Sequence, residues 1–178
     1  MPGTKHTLVA LVADRPGVLN RMASLFRRRG FNIESIAEGH SELPNMSRMT
    51  IVVDGTAAMV EQVRKQLDKI VDVVKVMDIT GPNIIARELA LFKVKANAIT
   101  RSEIMQVVDI FRANIVDVSA DSVTVEVTGD ENKVDSLYNL LRPFGIKEMA
   151  RTGRVALQRG SSATIAEKPA GVKVPKQK

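Results

Sequence analysis

The sequence predicts an α+β chain built from two tandem ferredoxin-like units, each with the element order β-α-β-β-α-β. Three observations carry that prediction. Short apolar runs of strand length alternate with stretches whose apolar residues recur at the 3.6-residue helical period. A Gly-Pro pair at residues 81 and 82 punctuates the middle of the chain. The order of elements before that pair then returns after it, and 178 residues leave room for two small domains.

Residues 6–13, HTLVALVA, form an apolar run closed by Asp14 and Pro16, the pattern of a buried strand. From Val18 onward, Val18, Leu19, Met22, Ala23, Leu25 and Phe26 mark one stripe of a helix, which Gly30 ends. FNIESIAEG (31–39) and SRMTIVVDG (47–55) read as two strands of a hairpin, separated by a polar stretch with Pro44 and Asn45. Val60, Val63, Leu67 and Ile70 stripe a second helix, and VDVVKVMDI (71–79) closes the unit as its last strand.

After the linker TGPN (80–83), ARELALFKVKA (86–96) reads as a strand, and Ile104, Val107, Val108 and Phe111 mark a helix. ANIVDVSA (113–120) and SVTVEVTG (122–129) form a second hairpin, the latter with period-2 alternation of valines. Val134, Leu137, Tyr138 and Leu141 stripe the fourth helix, and GIKEMART (145–152) is the last expected strand. Asn32-Ile33 and Asn114-Ile115 each follow a helix, a faint echo of the repeat. The expected domains are therefore 1–79 and 84–157, joined by 80–83. The remainder, 158–178, is rich in Gly, Ser, Ala, Pro and Lys without periodicity, and is expected to be a flexible basic tail.

The net charge is +6, of which +4 falls in that tail, so residues 1–157 are nearly balanced. No cysteine is present, which removes disulfides, thiolate nucleophiles and cysteine-based zinc sites and suits a reducing cytoplasm. No apolar run approaches the ~20 residues that span a bilayer, so no membrane role is expected.

The segment DRPGVLNRM, residues 14–22, carries the chain from the first strand into the first helix. Such a turn exposes the helix's first N–H groups, which lack intrahelical partners and carry the positive end of the dipole. Pro16 fixes its own φ where no N–H donor is needed, and Gly17 removes a Cβ that would hold a small ligand off the backbone. Two readings stay open on these nine residues. Either the turn is a rigid pocket for an anion such as a carboxylate, or Asp14 caps the helix and Pro-Gly shapes a turn. An α-amino acid suits the first reading, with its carboxylate on the N–H groups and its ammonium near Asp14. Asn32 has an amide able to bond either group, or serves as a turn residue after Gly30.

On DRPGVLNRMASLFRRRGFNIESI, SRMTIVVDG, QLDKIVDVVKV and RELALFKV, the chain resembles the small regulatory subunits of acetolactate synthase (acetohydroxyacid synthase) over roughly residues 6–160. DRPGVL alone marks only the broad group of ACT-type amino-acid-binding domains; RRGFNIES followed by SRMTI and QLDKIVDV is the more specific part. The resemblance implies that residues 1–79 form an ACT domain, which pairs with a second copy and binds a branched-chain amino acid, chiefly valine, between the two. By position, the effector would meet Asp14, Gly17, Val18 and Leu19 on one chain and Asn32 with Ile33 on its neighbour. Many family members have asparagine in place of Asp14, a difference that bears on how the ammonium is recognised.

The second unit has no Pro-Gly turn at the equivalent ANAITRSEI (96–104), so it is not expected to bind effector in the same way. The resemblance further implies a catalytic large subunit as partner, carrying thiamine diphosphate, Mg²⁺ and FAD. This chain would hold no cofactor and no catalytic residue. It would activate that subunit and confer feedback inhibition in valine, leucine and isoleucine biosynthesis.

Other classes fare worse on the residues. A stand-alone enzyme lacks its usual groups: the two histidines, His6 and His40, lie in no nucleophile or metal spacing and are expected to be structural or surface residues. Glu34 and Glu38 read as solvated strand positions. An RNA-binding module of the same element order would stack bases on aromatic residues of its central strands, and HTLVALVA and SRMTIVVD have none. Arg27, Arg28 and Arg29 mark a solvated helix end or a partner contact. A stand-alone ACT-type amino-acid sensor is the remaining alternative.

Overall fold

The computed structural model describes residues 4–160 and 165. The chain divides into two compact units: the first runs to Ile85 and resumes at Ala156, and the second is Ala86–Val155. The first unit contains β1 (Thr4–Ala13), α1 (Val18–Arg29), β2 (Ile33–His40), β3 (Met46–Gly55), α2 (Ala57–Leu67) and β4 (Val73–Asp78). Then follow β5 (Ile84–Lys95), α3 (Thr100–Ile110), β6 (Asn114–Val118), β7 (Ser122–Gly129), α4 (Glu131–Leu141), a 3₁₀ turn (Arg142–Phe144), β8 (Ile146–Arg151) and β9 (Val155–Gln158). The predicted order β-α-β-β-α-β is present twice, in antiparallel sheets ordered β2-β3-β1-β4 and β6-β7-β5-β8.

In the first unit, the alternation of β1 sends Leu8, Ala10 and Val12 into a core with Val18, Met22 and Phe26 of α1 and Val60, Val63 and Leu67 of α2. Phe26 is 1% exposed, so its truncation to alanine is worth about 3–5 kcal/mol of stability. Thr7, Val9, Leu11 and Ala13 are buried as well, which is why β1 reads as a continuous apolar run rather than an alternating one. Arg48, opposite Leu11 on β3, donates from Nη2 to the Ala156 carbonyl at 2.8 Å, so the returning segment meets the sheet there. In the second unit Phe92 and Val94 of β5, Ile104 of α3, Val125 of β7 and Leu137 of α4 form the equivalent core.

The ends of elements differ from the sequence expectation for physical reasons. Phe31 does not join β2, because its N–H closes the end of α1 on the Phe26 carbonyl at 3.1 Å while Gly30, at φ 69°, bonds Arg27 at 3.2 Å. That is a Schellman closure, and its left-handed residue favours glycine. β4 starts at Val73 rather than 71, because Val73 N–H is held by the Ile70 carbonyl in a tight turn. β9, which was not expected, pairs with β5, and Arg159 donates to the Asn83 and Ile84 carbonyls. Beyond Gly160, the expected tail lies outside the described residues except for Ile165.

Candidate functional site

The chain leaves β1 at Ala13 and enters α1 at Val18 through the turn Arg15-Pro16-Gly17. Gly17 has φ 88° and ψ −7°, the values of the third position of a type II turn, whose second position favours proline. Each residue thus has its own reason: Pro16 presets one dihedral, and Gly17 takes the left-handed one that a side chain would resist.

Gly17 is also the N-cap of α1, so that helix begins with no side-chain cap and no acidic residue in its first turn. The other three described helices differ. Thr56 Oγ1 accepts from Met59 N–H at the start of α2, and Asp130 Oδ1 from Lys133 N–H at the start of α4. At α3, the Asn97 carbonyl oxygen Oδ1 accepts from both Ile99 and Thr100 N–H at 2.9 Å. Asp14 does not cap α1, which removes the turn-only reading in the form that relied on it. Its side chain instead meets His40, with Oδ2 3.2 Å from Nδ1, and its N–H donates to the Asn45 carbonyl at 2.9 Å.

Val18 is 3% exposed and packs in the core, so only its backbone is offered to the turn, whereas Leu19 is 45% exposed. Asn32 is exposed and Ile33 half-buried against the core. These two sit far from the turn within one chain. Ile33 pairs with Val53, which pairs with His6, seven positions along β1 from Ala13, or about 23 Å at ~3.3 Å per residue. At the other end of β2, His40 pairs with Ser47, which pairs with Val12, beside the turn. One copy therefore brings together Asp14, Gly17, Val18 and Leu19 but not Asn32 and Ile33.

Residues 8–75 match the model of the AHAS small subunit-like ACT domain, and residues 87–160 match that of the small subunit of acetolactate synthase. A probable acetolactate synthase small subunit of Archaeoglobus fulgidus is 55% identical over 157 residues, covering 88% of this chain and 98% of that protein. The acetolactate synthase small subunit of Mycobacterium leprae is 53% identical over 87% of this chain and 92% of its own length. The chain belongs to the acetolactate synthase small-subunit family. The crystal structure of the acetolactate synthase small subunit from Thermotoga maritima, 45% identical, superposes with a TM-score of 0.84 over 88% of this chain and 98% of that one. The first unit is accordingly an ACT domain and the second the C-terminal domain of the same family.

Reasoning from the sequence missed two parts of this small-subunit turn. His40 reaches Asp14 because β1 and β2 run parallel on either side of β3, a consequence of strand order that no local pattern announces. Asp72, inside the quoted QLDKIVDVVKV, is 5% exposed and binds Arg21 at 2.5 Å with Arg15 at 3.7 Å. A buried carboxylate requires such partners, but only the fold reveals which arginines supply them. His6 is buried, with Nδ1 3.4 Å from Thr80 Oγ1 and 3.5 Å from Asp78 Oδ2. Among the described residues, no three His, Cys, Asp or Glu side chains gather as a metal site, and no helix is long and apolar enough to cross a membrane.

Proposed function

We propose that the chain is the regulatory subunit of acetolactate synthase: it activates a catalytic large subunit and makes that subunit sensitive to a branched-chain amino acid, chiefly valine. The observation that carries the effector site is the contrast between α1 and α3. At α3, Asn97 occupies the first amides; at α1, a glycine N-cap leaves them without a side chain. A carboxylate placed on such a helix end gains about 0.3–1 kcal/mol when exposed and up to ~2 kcal/mol when partly buried. The proposed contacts are Gly17, Val18 and Leu19 through backbone N–H groups, Asp14 toward the ammonium, and Leu19 toward the aliphatic side chain.

Strand order supports a site shared between two copies. β2 is an edge strand, and an edge presents unpaired N–H and C=O groups that another strand can complete. Two copies related by a two-fold axis pair such edges antiparallel. That pairing sets Asn32 and Ile33 of one copy opposite the His40 end of the other, and the turn at Asp14 lies beside that end. The roughly 23 Å separation within one chain thereby becomes proximity between two. The proposal keeps the chain in the cytosol and assigns thiamine diphosphate, Mg²⁺ and FAD to the larger subunit. The test is co-purification with that subunit, followed by acetolactate assays with and without valine, leucine and isoleucine. Activation by this chain and inhibition by at least one of the three are expected; acetolactate formation by this chain alone, or no effect on the large subunit, overturns the proposal.

A further inference from the structure

Asp72 is used by none of the contacts proposed above, although its burial makes it one of the more expensive groups in the first unit. It sits just before β4, where the pairing with β1 slips: Leu11 faces Lys75 and Val12 faces Val73, leaving Val74 as an extra residue. A bulge of this kind bends its strand and re-aims nearby side chains. From there Asp72 grips three consecutive parts of the chain. Its carbonyl accepts from Ala13 N–H at 2.8 Å, at the end of β1; its carboxylate meets Arg15, in the turn, at 3.7 Å; and it meets Arg21, in the first turn of α1, at 2.5 Å. Arg21 is also the residue whose N–H donates to the Gly17 carbonyl, at 3.0 Å.

We propose that Asp72 is a positioning residue for the effector turn, holding the backbone N–H groups of residues 17–19 in the orientation that a carboxylate requires. The proposal rests on the functional reading above. α1 has no side-chain cap to stiffen its start, so the turn is held by Pro16 from within and by Asp72 from behind. Charge alone predicts the opposite of what positioning predicts. Asp72 offsets the positive charge of Arg15 and Arg21, so neutralising it raises the local positive potential and, on electrostatics alone, strengthens carboxylate binding. If Asp72 acts by holding the turn, neutralising it weakens binding.

The experiment uses the full chain as wild type and as Asp72→Asn, Arg21→Ala, Arg21→Lys and the Asp72→Asn/Arg21→Ala double variant. Backbone ¹⁵N order parameters of residues 17–20 are measured without ligand, and valine affinity by calorimetry. Expected values are near ~0.85 in the wild type and below about 0.6 in Asp72→Asn and Arg21→Ala, with valine affinity lowered roughly tenfold, or about 1.4 kcal/mol. Arg21→Lys should restore both readouts, and the double variant should be no worse than the single ones, since both remove the same contact. Arg21 is half exposed and carries the test even if Asp72→Asn does not fold. Unchanged order parameters in the folded variants, or tighter valine binding in Asp72→Asn, overturn the proposal. A wild type that binds none of the three branched-chain amino acids overturns the functional reading instead, and the order parameters still decide the role of Asp72.

Discussion

Gly17 adopts φ 88°, and a Cβ built there meets no heavy atom within 4 Å. Substitution is therefore penalised by backbone conformation, at about 1–2 kcal/mol, and not by crowding within the chain. For a unit of this size each kcal/mol lowers the unfolding midpoint by roughly 4–8 °C, so Gly17→Ala and Gly17→Asp should both unfold earlier by calorimetry. They should separate in a valine titration of the reconstituted enzyme. Under the proposed function, alanine should weaken inhibition and aspartate should abolish it by setting a negative charge where the effector carboxylate would lie; equal responses from the two would count against a carboxylate at this turn. Under the proposed function, Asn32 makes one polar contact to the effector across the two-fold, worth roughly 0.5–1.5 kcal/mol, so Asn32→Ala should lower valine affinity about 2- to 13-fold with the unfolding midpoint unchanged. Pro16 and Gly17 were legible in the sequence as a special turn because their effect on φ is local. Asp72 was not, since its partners Arg15 and Arg21 lie more than fifty positions earlier.

Helices were the most legible elements. Val18, Met22 and Phe26 repeat every four residues, and that spacing alone sets one face toward the core. The helix starts differ in how their first amides are bonded: at α3 Asn97 accepts from Ile99 and Thr100 N–H, whereas α1 begins at Gly17 with no side-chain cap. Asn97→Ala should cost about 0.5–2 kcal/mol of stability, read by denaturant unfolding, without altering the valine response. Among the strands, β2 matters most because it lies at an edge. In a lone copy, alternate amides of Ile33–His40 face outward and exchange with solvent quickly, whereas edge-to-edge pairing protects both sets. Hydrogen exchange at micromolar concentration is expected to protect the outward set; rapid exchange of every second amide there would sink the two-fold arrangement. β9 escaped notice because a four-residue strand with a single buried side chain, Ala156, has too little pattern to separate from a tail.

For the whole molecule, membership of the small-subunit family rests on matches that span both units. Under the proposed function, removing valine from an inhibited complex should restore its activity without separating the subunits, because the effector biases the regulatory chain and not its docking. Gel filtration and activity measured on one sample, before and after dialysis, check this. Dissociation on adding valine would instead make inhibition a loss of assembly.

The sequence by itself determined the class of fold, the order of twelve expected elements and the family, because period-2 and 3.6-residue patterns, turn residues and long quoted motifs are all written within short stretches of chain. Strand order, register and side-chain partnership are set by contacts between residues far apart, and those only the tertiary structure decided. It placed His40 against Asp14, clamped Arg15 and Arg21 on Asp72 and set Asn32 at the far end of the sheet from the turn. Each of these depends on strand order in the first sheet, where β1 lies between β3 and β4 and β2 lies beyond β3, an order that no local pattern encodes.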